Sequence, residues 1–269
     1  MNDKRAENRY SRLVEDIFIS KYKENDERVD FERTDLEATA EKLRIQLPKN
    51  LGDVIYSFKY RTDLPETITS KAPEGKEWVI ENVGRAKYAF VATSLARIVP
   101  DTMLISIKIP DATPGIVQKY ALADEQALLA KLRYNRLLDI FTGVTCYSLQ
   151  NHLRTTVTGI GQVETDEIYV GLDKQGRHYV FPLQAKGGTD EIGVVQIKQD
   201  FALCQEKYPG LICRAIAAQF MTDDIIAIME FGIDDGEVKK VAEKHYKLVP
   251  PDNISEEDLK KYKTVTEGA

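Results

Sequence analysis

Gly161-Gln-Val-Glu-Thr-Asp-Glu-Ile-Tyr-Val-Gly-Leu-Asp-Lys-Gln-Gly-Arg-His-Tyr-Val-Phe-Pro-Leu-Gln-Ala-Lys186 is the stretch whose reading decides the fold. Two apolar runs, Ile168–Leu172 and Tyr179–Leu183, flank Asp173-Lys-Gln-Gly-Arg177. Gly176 sits where a three-residue hairpin loop requires positive φ, which predicts two antiparallel strands closed by Asp173 and Arg177. Facing residues then have numbers summing to 350, so Asp166 is expected opposite Gln184. Side chains alternate along a strand, which puts Gln184 and Lys186 on one face together with Asp166. A slip of one residue would send Asp166 to the other face.

Outward from the hairpin, Gly187-Gly188 reads as a turn, and Ile192 to Lys207 as an amphipathic helix with Gln196 and Gln199 near its start. Leu211–Phe220 and Ile225–Phe231 are apolar runs suited to central strands. Ahead of the hairpin, Asp124 to Phe141 predicts a helix with Leu128, Leu132 and Leu138 inward, and Thr102–Ile109, flanked by prolines, reads as a strand and linker. Near the N-terminus, helices are expected over Glu7–Lys23, over Thr34–Leu43 behind a Thr34–Glu37 capping box, and over Leu51–Tyr60 capped by Asn50. Strands at Glu77–Asn82 and Lys87–Ala92 follow, joined at Val83-Gly84-Arg85. Three helices and a two-stranded wing resemble a winged-helix module, in which Lys59, Arg61, Arg85 and Lys87 would meet a phosphate backbone. Trp78, Tyr88 and Phe90 read as core.

The expected fold class is α/β, with a central mixed sheet flanked by helices plus a small α+β N-terminal part. The divisions expected are 1–98 for recognition, 99–121 as linker and strand, 122–233 as the core, and 234–269 as a charged helical extension broken at Pro250-Pro251.

Asp166, Gln184 and Lys186 together suit phosphodiester hydrolysis. That reaction calls for a hard cation to neutralise phosphate charge and to activate water. Mg²⁺ accepts one carboxylate, a neutral oxygen and a backbone carbonyl while keeping several waters, and the Ala185 carbonyl is suitably placed. A neighbouring lysine orients the attacking water or stabilises developing charge.

Asp166, a hairpin and then Gln184-Ala-Lys186 resemble the PD-(D/E)xK (restriction-endonuclease-like) nucleases, in the variant with Gln for the second acid. The resemblance covers roughly Leu122 to Phe231. It implies a restriction-endonuclease-like core, with Asp166 the primary metal ligand, Gln184 and Ala185 further ligands, and Lys186 the catalytic lysine. Glu125 matches an acid that many members use as an extra ligand, and Gln196 a glutamine near the DNA. Thr165 stands where the pattern has Pro, and Gln184 brings no charge, so Glu164, Glu167 or Glu125 would complete the metal site. The implied activity is Mg²⁺-dependent cleavage of duplex DNA leaving a 5′-phosphate, with Mn²⁺ as a substitute, in a restriction or other defence enzyme. A homodimer and a cognate methyltransferase are the partners such an enzyme would have. The competing readings are a DNA-binding regulator on an inactive scaffold, and an RNA-cleaving or repair enzyme on the same core.

A net charge of −6 over 269 residues argues against indiscriminate coating of nucleic acid, without excluding an enzyme whose carboxylates hold cations. No segment approaches the roughly 18 apolar residues of a membrane span. Cys146, Cys204 and Cys213 lack metal-ligand spacing and read as free thiols in a reducing cytoplasm. His152 is weighed as general base against structural hydrogen bonder, and Arg154 as a phosphate contact. His178 is expected at the surface and His245 in the charged tail. No Walker or dinucleotide glycine loop is present.

Overall fold

A computed structural model describes residues 10–121, 125–187 and 190–264. Residues 7–9 of the first expected helix, Asp124 and Gly188 of the expected turn lie outside these. The N-terminal unit runs α1 (Ser11–Lys21), β1 (Arg28–Glu32), α2 (Arg33–Leu43), α3 (Gly52–Tyr60), α4 (Glu66–Thr69), β2 (Glu77–Gly84) and β3 (Lys87–Thr93). A two-residue β4 (Arg97–Ile98) leads to β5 (Ser106–Pro110), α5 (Gly115–Tyr120), α6 (Glu125–Tyr134) and α7 (Leu137–Thr142). The long strands β6 (Thr145–Val157), β7 (Gly161–Leu172) and β8 (His178–Lys186) form a meander. After it come β9 (Ile192–Gly193), α8 (Val194–Lys207), β10 (Ile212–Cys213), β11 (Ala215–Phe220), β12 (Ile225–Asp234), β13 (Glu237–Val249) and α9 (Glu256–Thr264).

The protein is α/β, built on a mixed eight-stranded sheet ordered β5-β13-β12-β11-β8-β7-β6, with β10 also on β8. Helices α6 and α7 bury Leu128, Leu129, Leu132, Leu137 and Leu138 against one face, where Phe181, Leu183, Ile216 and Ile228 point. Helix α8 covers the other face over Ile168, Val180, Ala217 and Met229. Central position explains why Tyr179 to Ala185 are buried without alternation, since both faces of β8 are covered. Pro182, the residue of β8 without an N–H, falls at the gap between β10 and β11, where the pairing to β8 is interrupted.

The hairpin register is the one expected. Residues from Leu172↔His178 to Glu167↔Leu183 pair with numbers summing to 350. Asp173 builds the loop: its Oδ1 accepts the backbone N–H groups of Gln175 and Arg177 at 2.9 Å each. Its Oδ2 accepts Arg177 Nε at 2.6 Å and Tyr179 Oη at 3.0 Å, and Gly176 takes φ 78°. Burial pushes the Asp173 carboxyl up, but the Arg177 backbone, the Arg177 and Tyr179 side chains and the Gln175 backbone outweigh it and bring it down to about 2. The unfolded value is about 3.9, so this stabilisation is complete above that pH and is lost as pH falls towards about 2. Asp173→Asn should therefore melt below the parent protein at pH 7, with the gap closing near pH 2. Equal melting temperatures at pH 7 would deny the loop this role.

Several expectations are corrected. The 234–269 segment is not a helical extension throughout: residues 237–249 form the long strand β13, followed by a 3-10 turn at Pro251–Asn253 and the helix Glu256–Thr264. The strand expected within 99–121 is present as β5, paired parallel with β13 at the sheet edge, but the rest of that segment also holds the helix α5. His245 is buried beside Glu243 rather than exposed in a tail. The expected helix from Asp124 to Phe141 breaks at Asn135-Arg136, where Arg136 adopts φ 49°. Helix α2 is capped by Glu32 and Asp35 instead of Thr34 and Glu37, because β1 stays paired with β3 as far as Glu32 and the helix starts at once.

The N-terminal unit has its own core, in which Phe18, Phe31, Ile55, Trp78 and Phe90 pack together. Its sheet is ordered β1-β3-β2, adding a strand, β1, that the sequence did not suggest. Tyr88 packs at that core's edge, His178 is exposed, and the three cysteines are free. No helix among the described residues is long and apolar enough to cross a membrane.

Candidate functional site

The ladder between β7 and β8 ends at Glu167 and Leu183, one pair short of Asp166 and Gln184. Here the strands part. The Ala185 N–H donates to Asp166 Oδ2 at 2.8 Å, so the carboxylate finishes the ladder with its side chain and keeps Oδ1 for another use. Burial pushes the Asp166 carboxyl up; the Ala185 N–H and the Lys186 charge pull against that, while Glu125 adds to it. Lys186, half-buried at the end of β8, places its Nζ 3.7 Å from Glu125 Oε1 on the first turn of α6. The hairpin and α6 thus bring Asp166, Lys186 and Glu125 together.

Gln184 is near but differently engaged. Its Nε2 donates to both oxygens of Asp200 at 3.1 and 3.0 Å and to the Glu164 carbonyl at 3.1 Å. Its Oε1 accepts from Gln196 Nε2 at 3.3 Å, and Gln196 also reaches the Gly193 N–H to cap α8. The Ala185 side chain is buried in the core. Of the acids weighed as completing the site, Glu167 is turned away: it pairs with Leu183 on the α6 face, where Ser148 Oγ donates to it and Arg133 lies 3.4 Å off. Glu164 pairs with Arg154 at 3.0 Å, and both border the cleft described below.

Asp200 was not anticipated. It is fully enclosed on α8, and burial holds its carboxyl well above the ordinary range, with the Asp166 charge adding to the rise and Gln184 and Thr165 opposing it. A signal existed: Gln196, Gln199 and Asp200 recur at helical spacing on a face that otherwise buries Ile197 and Leu203. Buried polar groups need partners, so such a stripe marks a polar site under the helix.

Among the described residues no three His, Cys, Asp or Glu side chains form a metal cage. Mg²⁺ needs no such cage, since it keeps most of its water shell and uses one or two carboxylates. Asp166 and Asp200 are carboxylates driven up by burial, and nearby negative charge adds to the rise in each, from Glu125 at Asp166 and from Asp166 at Asp200. A divalent cation would relieve that conflict, and on this ground the residues fit one. Asp166 and Glu125 would hold it, with Gln184 and Ala185 oxygens at hand.

Of Asp166, Lys186 and Glu125, Lys186 lines a cleft of about 600 Å³ between the N-terminal unit and the core. Its far wall is the side of α3 opposite Val54 and Phe58, carrying Tyr56, Lys59, Tyr60 and the following Arg61. The two units are joined around it: Tyr60 Oη donates to Gln199 Oε1 at 3.1 Å, Asn82 Nδ2 to the Ile160 carbonyl at 3.0 Å, and Lys198 pairs with Glu81 at 2.6 Å. Lys59, Arg61, Arg154, Gln196 and Lys186 are thereby brought to one cavity. Arg85 and Lys87 are not: they stay exposed at the β2–β3 turn, outside the cleft lining, with Lys87 paired to Glu32 at 3.3 Å. His152 is exposed on β6. Comparison with family models, curated proteins and solved structures found no match for the chain.

Proposed function

We propose that the protein is a divalent-metal-dependent endonuclease that hydrolyses phosphodiester bonds of DNA. The observation that carries this reading is the meeting of Asp166, Lys186 and Glu125 at the fork between β7 and β8. A partly buried lysine between two acids at a strand end, open to a cleft with further cations, suits an anionic substrate. The meander β6-β7-β8 followed by α8 and the parallel β11 agrees with the restriction-endonuclease-like core. The order α1-β1-α2-α3-β2-β3, with β1 on β3, agrees with a winged-helix module.

A bound Mg²⁺ or Mn²⁺ would supply charge neutralisation at the phosphate and a more acidic water. Lys186, a flexible cation with three donors, would hold a phosphate oxygen or orient the attacking water. Arg154 and Arg61 would contact flanking phosphates. A restriction or other defence role, and a homodimer cutting both strands, belong to this proposal.

The inactive DNA-binding scaffold is the second reading. What favours it is Gln184, whose amide is satisfied by Asp200, Glu164 and Gln196 without a cation. Incubation with plasmid and linear duplexes in Mg²⁺, Mn²⁺ or EDTA separates the two. Metal-dependent fragments are expected; a gel shift without cleavage in either metal would support the scaffold.

A further inference from the structure

We propose that the cleft between α3 and the core seats one unpaired nucleotide, with Lys59 on its phosphate and Tyr56 against its base, so that the strand to be cut enters the site locally unpaired. This rests on the nuclease reading for the chemistry, but the seat itself is argued from its own geometry.

Size is the first argument. A volume of about 600 Å³ lies within the ~300–1,000 Å³ of pockets that enclose a small molecule. It matches a nucleotide rather than a double helix, whose major groove alone is about 12 Å wide. Helix α3 cannot lie in such a groove while its polar side forms the cleft wall and Tyr60 is bonded to Gln199. A duplex would have to open the joint between the two units; one extruded or single-stranded nucleotide would not.

Chemistry is the second. Tyr56 and Tyr60 stand with ring centroids 4.8 Å apart, and Tyr56 is 43% exposed although it borders the cavity. The Arg61 guanidinium lies 5.0 Å from the Tyr56 ring centre and Lys59 Nζ 5.0 Å from that of Tyr60. Aromatic rings backed by cations form the platform on which unpaired bases stack. Among the described residues Lys59 has no ion pair; its one hydrogen bond is a long one, 3.4 Å to Asn82 Oδ1. Burial lowers its pKa to about 8 with Glu81 opposing, the condition of a cation short of an anion. Gln162, Gln196 and Gln199 add amides able to meet base edges.

The test is binding rather than cleavage. Fluorescence anisotropy in EDTA compares the full chain on a labelled 12-nucleotide single strand and on the same sequence as a blunt duplex. The single strand should bind more tightly. Tyr56→Ala and Lys59→Gln should each weaken it by roughly ten-fold, Lys59→Arg should largely keep it, and the duplex should be unaffected. Tyr56 is exposed enough that its loss should not disturb folding, so it carries the test even if Lys59→Gln is unstable. Tighter binding of the duplex, equal loss on both forms, or a single strand indifferent to Tyr56→Ala would overturn the proposal. Cleavage is not involved, so selective single-strand binding by a protein that cuts nothing would sink the nuclease reading alone.

Discussion

Lys186→Ala should lower metal-dependent DNA cleavage by at least about 10²–10³-fold, the usual cost of removing one group that stabilises transition-state charge. The fold should hardly notice. Lys186 ends β8, its side chain is 22% exposed, and its partner Glu125 is 36% exposed. An ion pair so placed contributes roughly 0–1 kcal/mol, against a cleavage loss of about 3–4 kcal/mol in barrier. Asp166→Asn should be as damaging to activity. The amide oxygen still accepts the Ala185 N–H, so the end of the ladder survives while the charge is gone. A plasmid-nicking time course read beside a thermal melt checks both. If Lys186→Ala cuts at the parental rate with Mg²⁺ present, the site lies elsewhere; if it fails only because it unfolds, Lys186 is structural.

That site was legible because most of it is local. Asp173 and Gly176 build a loop within five residues, the loop sets the register, and the register brings Asp166 to β8. Glu125 was named by the resemblance, which matches it to an acid that many members use as an extra ligand, on the face of α6 that carries Leu128 and Leu132. Strand β13 was illegible for a specific reason. Val238, Val241, Ala242, His245, Tyr246 and Val249 recur at helical spacing, which reads as one face of a helix. In the protein a bulge opposite Glu230 and Phe231 adds Val241 as an unpaired residue and shifts the alternation by one, so that a strand reproduces the helical pattern. A strand was expected within Thr102–Ile109, but the place of β5 at the sheet edge was hidden because its pairing partner is β13, far along the chain. The same distance hid the cleft: Tyr60 meets Gln199 across 139 residues, and nothing near either residue announces the other. Asp200, four residues beyond Gln196, has no counterpart in the motif that gives Gln184 and Gln196 their roles, and its partner Gln184 lies on another element.

Asp200→Asn should separate what Asp200 does for the fold from what it does for the site. This carboxyl is enclosed, receives the Gln184 amide and lies within the influence of Asp166, with no cationic side chain bonded to it among the described residues. An enclosed acid beside a like charge opposes folding whenever it ionises, so the neutral amide of equal size should melt at the same temperature or higher at neutral pH. The introduced amide keeps an oxygen for the Gln184 Nε2, so Gln184 stays in place. The effect on function should be opposite. Among the described residues Asp200 is the only one whose carboxylate bonds Gln184, and on ionising beside a bound cation it would supply the negative charge that Gln184 lacks. Losing such a supporting partner typically weakens metal affinity by about 10–100-fold. Titration of Mn²⁺ by calorimetry should show that weakening directly, and the Mg²⁺ concentration for half-maximal cleavage should rise in parallel. A more stable protein that binds metal less well is an outcome a purely structural residue would not give. Unchanged metal affinity would assign Asp200 to packing and turn the self-satisfied Gln184 amide into an argument for the inactive scaffold.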